Sequence, residues 1–212
     1  METPHGEPVP EAAPERQASP WHWIVQGARS AVFLRPDWTG LRATPLLLAR
    51  LCIAELVAYI VISRFYFAGQ VRFHWYLLAY GWFPSLIVAW GCWLATSRAE
   101  PRDAAAPDRV DTPRLLTMLW AQELVFTVAW SLGYLLVLRQ VGGLHWPTGA
   151  LTWMPVIVHV AWSLAAQLRL ALPVTRGAGA WPRAGLVATL LLAMAVAVAV
   201  PVNYWVPDRP PA

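Results

Sequence analysis

The sequence predicts an all-α fold, a polytopic transmembrane bundle of about five spans preceded by an amphipathic surface helix. Three observations carry that expectation. Of the 212 residues, 58% are hydrophobic and only 13% are charged, whereas a soluble domain carries about 25% charged residues. Five apolar segments each approach the ~17–25 residues a helix needs to cross the hydrocarbon. The chain also has 14 Trp, 13 Gly and 19 Pro, and membrane helices are richer in all three than soluble ones.

The elements follow in order. Residues 1–20 are rich in Pro, Glu and Ala and contain no apolar run, so they read as a disordered tail that cannot bury enough surface to fold. They lack the basic start, apolar stretch and cleavage site of a signal peptide. In residues 21–36, Trp21, Ile24, Val25, Ala28, Val32 and Phe33 recur at helical spacing, with Gln26, Arg29 and Ser30 elsewhere. Too short to span, this segment reads as an interfacial amphipathic helix with Trp21 and Trp23 at headgroup level. Asp37–Gly40 then makes a turn into the membrane domain, residues 45–205.

The spans are expected at 45–62, 73–95, 115–138, 149–170 and 184–205. Pro45 suits a first helical turn, where a missing N–H costs little. Pro84 and Pro155 fall inside spans two and four and should kink them. All 16 basic residues are Arg. Twelve fall on the N-terminal side or around the loops after spans two and four, and four (Arg64, Arg72, Arg139, Arg209) fall on the other side. The positive-inside rule then puts the N-terminus in the cytoplasm and the tail 206–212 outside the cytoplasm, in the cell membrane. The loop from Ser97 to Thr112 becomes cytoplasmic.

Ionisable groups within spans are rare and costly, so each is a functional candidate. There are three: Glu55 in span one, Glu123 in span three and His159 in span four. At about 1.5 Å rise per residue they lie about 15, 12 and 14 Å from one face, which places them at nearly one level. Glu123, Thr127 and Ser131 share an i, i+4, i+8 stripe, with Tyr134 nearby. His159, Ser163 and Gln167 repeat that spacing on span four, and Cys52, Glu55, Tyr59 and Ser85 add to the same depth. Together they predict a polar seam through the bundle. Such a seam can be purely structural, since polar side chains bond across membrane helices and fix their rotation. It can equally form a proton or ion path, or a small-ligand pocket.

Other chemistry finds less support. No His-x-x-Glu spacing marks a metal site. His74 and His145 share a level suited to haem ligation but are shallow and flanked by Trp75 and Trp146, as interfacial residues are. Cys52 and Cys92 read as packing groups. Soluble catalytic and nucleotide-binding motifs are missing, and the sparse juxtamembrane Arg argue against nucleic acid as a partner. No cofactor, metal or catalytic residue is therefore expected, and enzymatic activity is not.

The stretch Ala28-Arg29-Ser30-Ala31-Val32-Phe33-Leu34-Arg35-Pro36-Asp37-Trp38, with Leu41 and Pro45, resembles the entrance to five-span membrane domains of the Yip type. Arg72-Phe73-His74-Trp75-Tyr76 with Gly81-Trp82 resembles the membrane region that precedes the catalytic domain in some bacterial legumain-like cysteine peptidases. The first resemblance implies a membrane scaffold or anchor. The second implies the membrane half of a bacterial inner-membrane peptidase without its His/Cys half, so no catalytic residue carries over. The leading expectation is a non-enzymatic scaffold whose partners are the bilayer and a membrane protein, or a second copy of the chain. A proton-coupled transporter or small-ligand pocket using Glu55, Glu123 and His159 is the alternative, and a subunit of a membrane enzyme complex is a third.

The odd span count is directly testable. Reporter fusions at the two ends should read opposite compartments, and the same compartment at both ends would reject five spans.

Overall fold

The computed structural model describes residues 19–67, 69–97, 110–141, 150–175, 179–199 and 204–207. Most of the expected N-terminal tail, the loop between spans two and three, the Gly142-Gly143 turn and the end of the chain lie outside the described residues.

Seven helices and two short strands make up the rest: α1 (Pro20–Ala31), α2 (Pro45–Arg64), β1 (Val71–Phe73), α3 (Leu77–Gly81), α4 (Phe83–Ser97), α5 (Thr112–Val141), α6 (Ala150–Ala171), α7 (Ala180–Ala199) and β2 (Trp205–Pro207). A 3₁₀ turn, Leu172–Thr175, extends α6. Five segments, with α3 and α4 counted as one, are long and apolar enough to cross a membrane. The starts of two spans are fixed by the local sequence. Thr44 Oγ1 accepts the Leu47 N–H at 3.2 Å, with Pro45 in the first turn, and Asp111 Oδ1 accepts the Arg114 N–H at 2.9 Å. Both are N-caps that satisfy amides the helix cannot.

α5 is the central helix. Its span is 56% buried, against at most 28% for the others, and at 30 residues it is about 45 Å long. α2 packs along it, as does α1, while α4 pairs with α7. The outward faces carry Leu46, Ile53, Val57 and Val61 on α2, Leu86, Trp90 and Trp93 on α4, and Leu191 and Leu192 on α7. In water these continuous apolar faces would be unstable, whereas a lipid solvent accepts them. Trp21, Trp75 and Trp181 are exposed at or just before the first residues of helices, where membrane proteins place their aromatic belts.

The tightly packed core occupies one end of the bundle. It joins Leu47 and Leu51 of α2, Cys92 and Ala95 of α4, Leu115 to Leu124 of α5, Leu170 and Ala171 of α6, and Leu186 and Leu190 of α7. With alternating chain direction, these first halves and last turns all fall at the Arg-rich end. Thr96 and Thr112 share a hydrogen bond there, and Arg183 Nε donates to the Thr175 carbonyl at 3.1 Å. At the far end, β1 and β2 pair antiparallel, Arg72 opposite Val206, tying the exit of the first span to the exit of the last.

Several boundaries differ from expectation. The second span does not begin at Phe73, which belongs to β1. It starts at Leu77 and breaks at Trp82, so Pro84 occupies the first turn of α4 rather than kinking a continuous helix. The break suits proline, which has no N–H to donate in an interior turn. Pro155 does lie inside α6. The fifth helix runs to Ala199, and Trp205 is in β2 rather than in the span.

The N-terminal helix is amphipathic, yet its buried face lies against protein. Trp21 is 69% exposed, but Trp23, expected beside it in the headgroup layer, is 0% exposed in the core cluster. The reason is Gly27. A Cβ there would stand 2.6 Å from the Ala121 carbonyl carbon and 2.8 Å from the Gln122 amide nitrogen, so only glycine allows this approach of α1 to α5. Farther along, Ala31 clusters with Phe126 and Ala166, which means α1 and α5 run in the same direction. The helix ends at Ala31, and two residues on, Phe33 has a left-handed φ of 63° that turns the chain back. The Phe33 ring stacks on Trp162 at 6.0 Å and lies 6.0 Å from the Arg169 guanidinium carbon, contacts that offset a backbone cost of about 1 kcal/mol or more. The chain returns along α1, with the Asp37 N–H donating to Gln26 Oε1 at 2.9 Å. The Thr39 N–H donates to the Asp37 carboxylate and holds it below the usual carboxylate range.

Gly27→Ala should therefore destabilise the protein in detergent by about 1–3 kcal/mol, the usual cost of overpacking. Gly133→Ala, whose new methyl would meet nothing within 4 Å, should leave thermal unfolding unchanged or slightly raised. Equal melting temperatures for both variants would contradict the close contact.

Candidate functional site: an acidic, aromatic-lined cavity

Away from the packed end, the α4–α7 pair and the α2–α5–α6 group line a half-open cavity of about 840 Å³. Every span contributes to it: Glu55 and Tyr59 from α2, Ser85 and Val88 from α4, Glu123 to Tyr134 from α5, His159 and Gln167 from α6, and Leu190 to Ala197 from α7. Tyr204 lines it from just before β2.

The residues singled out from sequence come together here except Ser163 and Cys52. Glu55, Glu123, Thr127, Ser131, His159 and Gln167 all line the cavity, whereas Ser163 does not. Ser163 is buried behind the wall at 1% exposure, and its Oγ donates to Glu123 Oε2 at 3.3 Å. Gln167 Nε2 donates to the same oxygen at 3.2 Å and lies 3.3 Å from Ser163 Oγ. The i, i+4 spacing of Ser163 and Gln167 brings both donors to one carboxyl group. Across the bundle, Thr127 Oγ1 donates to Glu55 Oε1 at 3.4 Å. The hydrogen bonds resolved to the two carboxyls thus come from neutral side chains.

His159 is placed differently from the carboxyls. Its ring lies 4.9 Å from Trp130, tilted by 34°, and 6.0 Å edge-on from Phe126. Its Nδ1 is buried with no hydrogen-bond partner among the described residues. His159 is therefore level with the Phe126–Trp130 turn of α5, one or more turns beyond Glu123, and does not bond to either carboxyl. Among the described residues no three His, Cys, Asp or Glu side chains converge as metal ligands would. Cys52 is buried in the core and is not part of the lining.

Sequence reasoning missed much of the aromatic wall. Trp120 and Trp130 flank Glu123 on α5, and Tyr66, Tyr80 and Tyr204 line the far end. Trp120 and Trp130 sit at −3 and +7 from Glu123, a helical-face signal present in the sequence. Tyr204 could not have been found this way, because its position depends on β1–β2 pairing. It packs edge-on against Tyr59 at 5.7 Å and tilted against Phe73 at 6.1 Å. A Cβ on Gly81 would fall 2.1 Å from its hydroxyl oxygen, so Gly81 admits that hydroxyl. The His74 N–H donates to the Tyr204 carbonyl at 2.8 Å, and Trp205 Nε1 donates to the Ile60 carbonyl at 2.8 Å. Tyr66 donates to the Ser131 carbonyl at 3.2 Å and meets Tyr134 edge-on at 5.5 Å.

Fold and cavity together define a multi-pass α-helical membrane protein with a half-open chamber that is acidic, aromatic and lined by all five spans. No family model, curated protein or solved structure matches the chain.

The Glu123 contacts can be weighed by a double-mutant cycle on unfolding in detergent, using Glu123→Ala, Ser163→Ala and the pair. A coupling of about 0.6 kcal/mol, and not above about 2 kcal/mol, is expected for an interhelical hydrogen bond in a membrane. Zero coupling would mean the Ser163 contact does not form.

Proposed function

We propose that this protein binds a small ligand inside the membrane, in the chamber between Glu55, Glu123 and His159, and that binding there serves transport or sensing across the bilayer. The observation that carries the reading is the coincidence of the polar seam with the cavity. A seam serving only helix packing would be closed by its neighbours, as the core at the Arg-rich end is. Here Glu55, Glu123 and His159 line a volume of about 840 Å³, within the ~300–1,000 Å³ typical of ligand sites. Intramembrane carboxyl and imidazole groups of this kind also exchange protons in pumps and transporters, so proton coupling is part of the proposal.

The scaffold reading implied by the Yip-type resemblance accounts for a five-span bundle but gives the chamber no role. In the proposed setting the protein sits in the cell membrane with its Arg-rich side toward the cytoplasm. The chamber then lies toward the opposite side, beneath the β1–β2 pair.

Water access decides between the two readings. In a Cys52→Ala, Cys92→Ala background, Ser131→Cys in membrane vesicles should react with a small, water-soluble methanethiosulfonate. A cysteine at Ile53 on the lipid-facing side of α2 should stay inert. An unreactive Ser131→Cys would return the seam to a structural role and favour the scaffold.

A further inference from the structure

We propose that the chamber selects a lipophilic organic cation, a molecule with one positive centre on an aromatic or alkyl body; this rests on the ligand-pocket reading above. Charge complementarity is the first argument. Two carboxyls face the cavity, and no Arg stands among the described residues that line it. Several Arg side chains are engaged elsewhere. Arg64 donates to the Phe67 and Gly69 carbonyls at 3.1 and 3.0 Å and lies over Trp205. Arg169 lies over Phe33, and Arg183 is bonded to Thr175. An ionised carboxylate withdrawn from water is costly without a counter-charge, and Thr127, Ser163 and Gln167 supply only neutral dipoles. A ligand that brings the positive charge completes the pairing, and an anion finds no cationic side chain among the described lining residues.

The wall supplies the second argument. Tyr59, Tyr66, Trp130, Tyr134 and Tyr204 surround the far half of the cavity. The two edge-to-face pairs, Tyr59–Tyr204 at 78° and Tyr66–Tyr134 at 89°, leave rings at right angles, so π faces are presented in more than one direction. Faces of this kind attract cations through the ring quadrupole, most strongly where water is excluded.

Size and ligand chemistry exclude the simpler cations. A bare metal ion needs oxygen or nitrogen ligands converging around it, and among the described residues no three His, Cys, Asp or Glu side chains do so. A volume of about 840 Å³ instead fits a drug-sized body, with the charge near Glu55 and Glu123 and the apolar part against the Tyr and Trp rings.

The test uses purified full-length protein and a matched pair of probes, tetraphenylphosphonium and its isosteric anion tetraphenylborate. Tetraphenylphosphonium should protect Ser131→Cys from the thiol reagent in a saturable manner, and tetraphenylborate should not. With Ser131 intact, Glu55→Gln and Glu123→Gln should each weaken saturable phosphonium binding by about tenfold or more, since each removes one partner of a buried charge pair. If either Gln variant fails to elute as the wild type does, the cation–anion comparison on Ser131→Cys decides alone. Equal protection by both ions would overturn the cation inference and leave the pocket reading intact. So would affinities unchanged in both folded Gln variants, or no protection by either tetraphenylphosphonium or the smaller benzyltrimethylammonium. A thiol that is unreactive with no probe present would instead reject the pocket itself.

Discussion

Helix α5 bears on α1, α2, α4 and α6, and each of its faces imposes a different condition on them. Between Ala121 and Gln122 the backbone must be bare enough for Gly27 to touch it. On another face Glu123 must find donors, because hydrocarbon offers none, and α6 supplies them through Ser163 and Gln167. One turn later Thr127 reaches Glu55 on α2. The rotation of α5 is therefore fixed by polar and close-packed contacts at about the same depth, and its neighbours take their positions from it. Leu115, Met118 and Leu119 close the Arg-rich end, while Trp130, Ser131 and Tyr134 open onto the cavity.

This division explains how a largely apolar chain holds polar groups within a span. Lipid tails are as apolar as leucine, so burial gives little drive for helices to associate in a membrane, and close packing and interhelical hydrogen bonds do most of the work. At the Arg-rich end the drive comes from small residues in contact, such as Gly91 of α4 against Thr189 of α7. At the far end the spans are joined by the β1–β2 pair and the aromatic contacts of Tyr204 and Trp205. Between these two fastenings α2, α5 and α6 stay bonded to one another through Glu55, Thr127, Glu123 and Ser163, and the chamber lies between them and the α4–α7 pair.

Much of this was legible in the sequence. Span number followed from hydrophobic length, and the stripes Glu123–Thr127–Ser131 and His159–Ser163–Gln167 followed from a period near four, since helix geometry alone determines which residues share a face. What could not be read were features that depend on a partner distant in sequence. Trp23 looked interfacial because its burial requires Gly27 to meet Ala121, some ninety positions away. Phe73 and Trp205 looked like span residues because apolar aromatics suit a strand pair at the bundle end as well as a helix. His159 looked level with both carboxyls on a count from the helix end; its ring lies between Phe126 and Trp130, level with Thr127 and its partner Glu55 but beyond Glu123. Depth counts assume equal offsets at every helix start, and α5 begins at Thr112, three residues before the apolar run that marked it.

The central claim is that the polar seam faces an open chamber rather than a sealed contact between helices. A high-resolution cryo-electron microscopy map of the protein in a lipid nanodisc tests it most directly. The account predicts resolved water or ligand density between Glu55, Glu123 and His159, with α4 and α7 held off α5 at that depth. A map in which α7 closes onto α5 and buries both carboxyls, with no density between them, would contradict it.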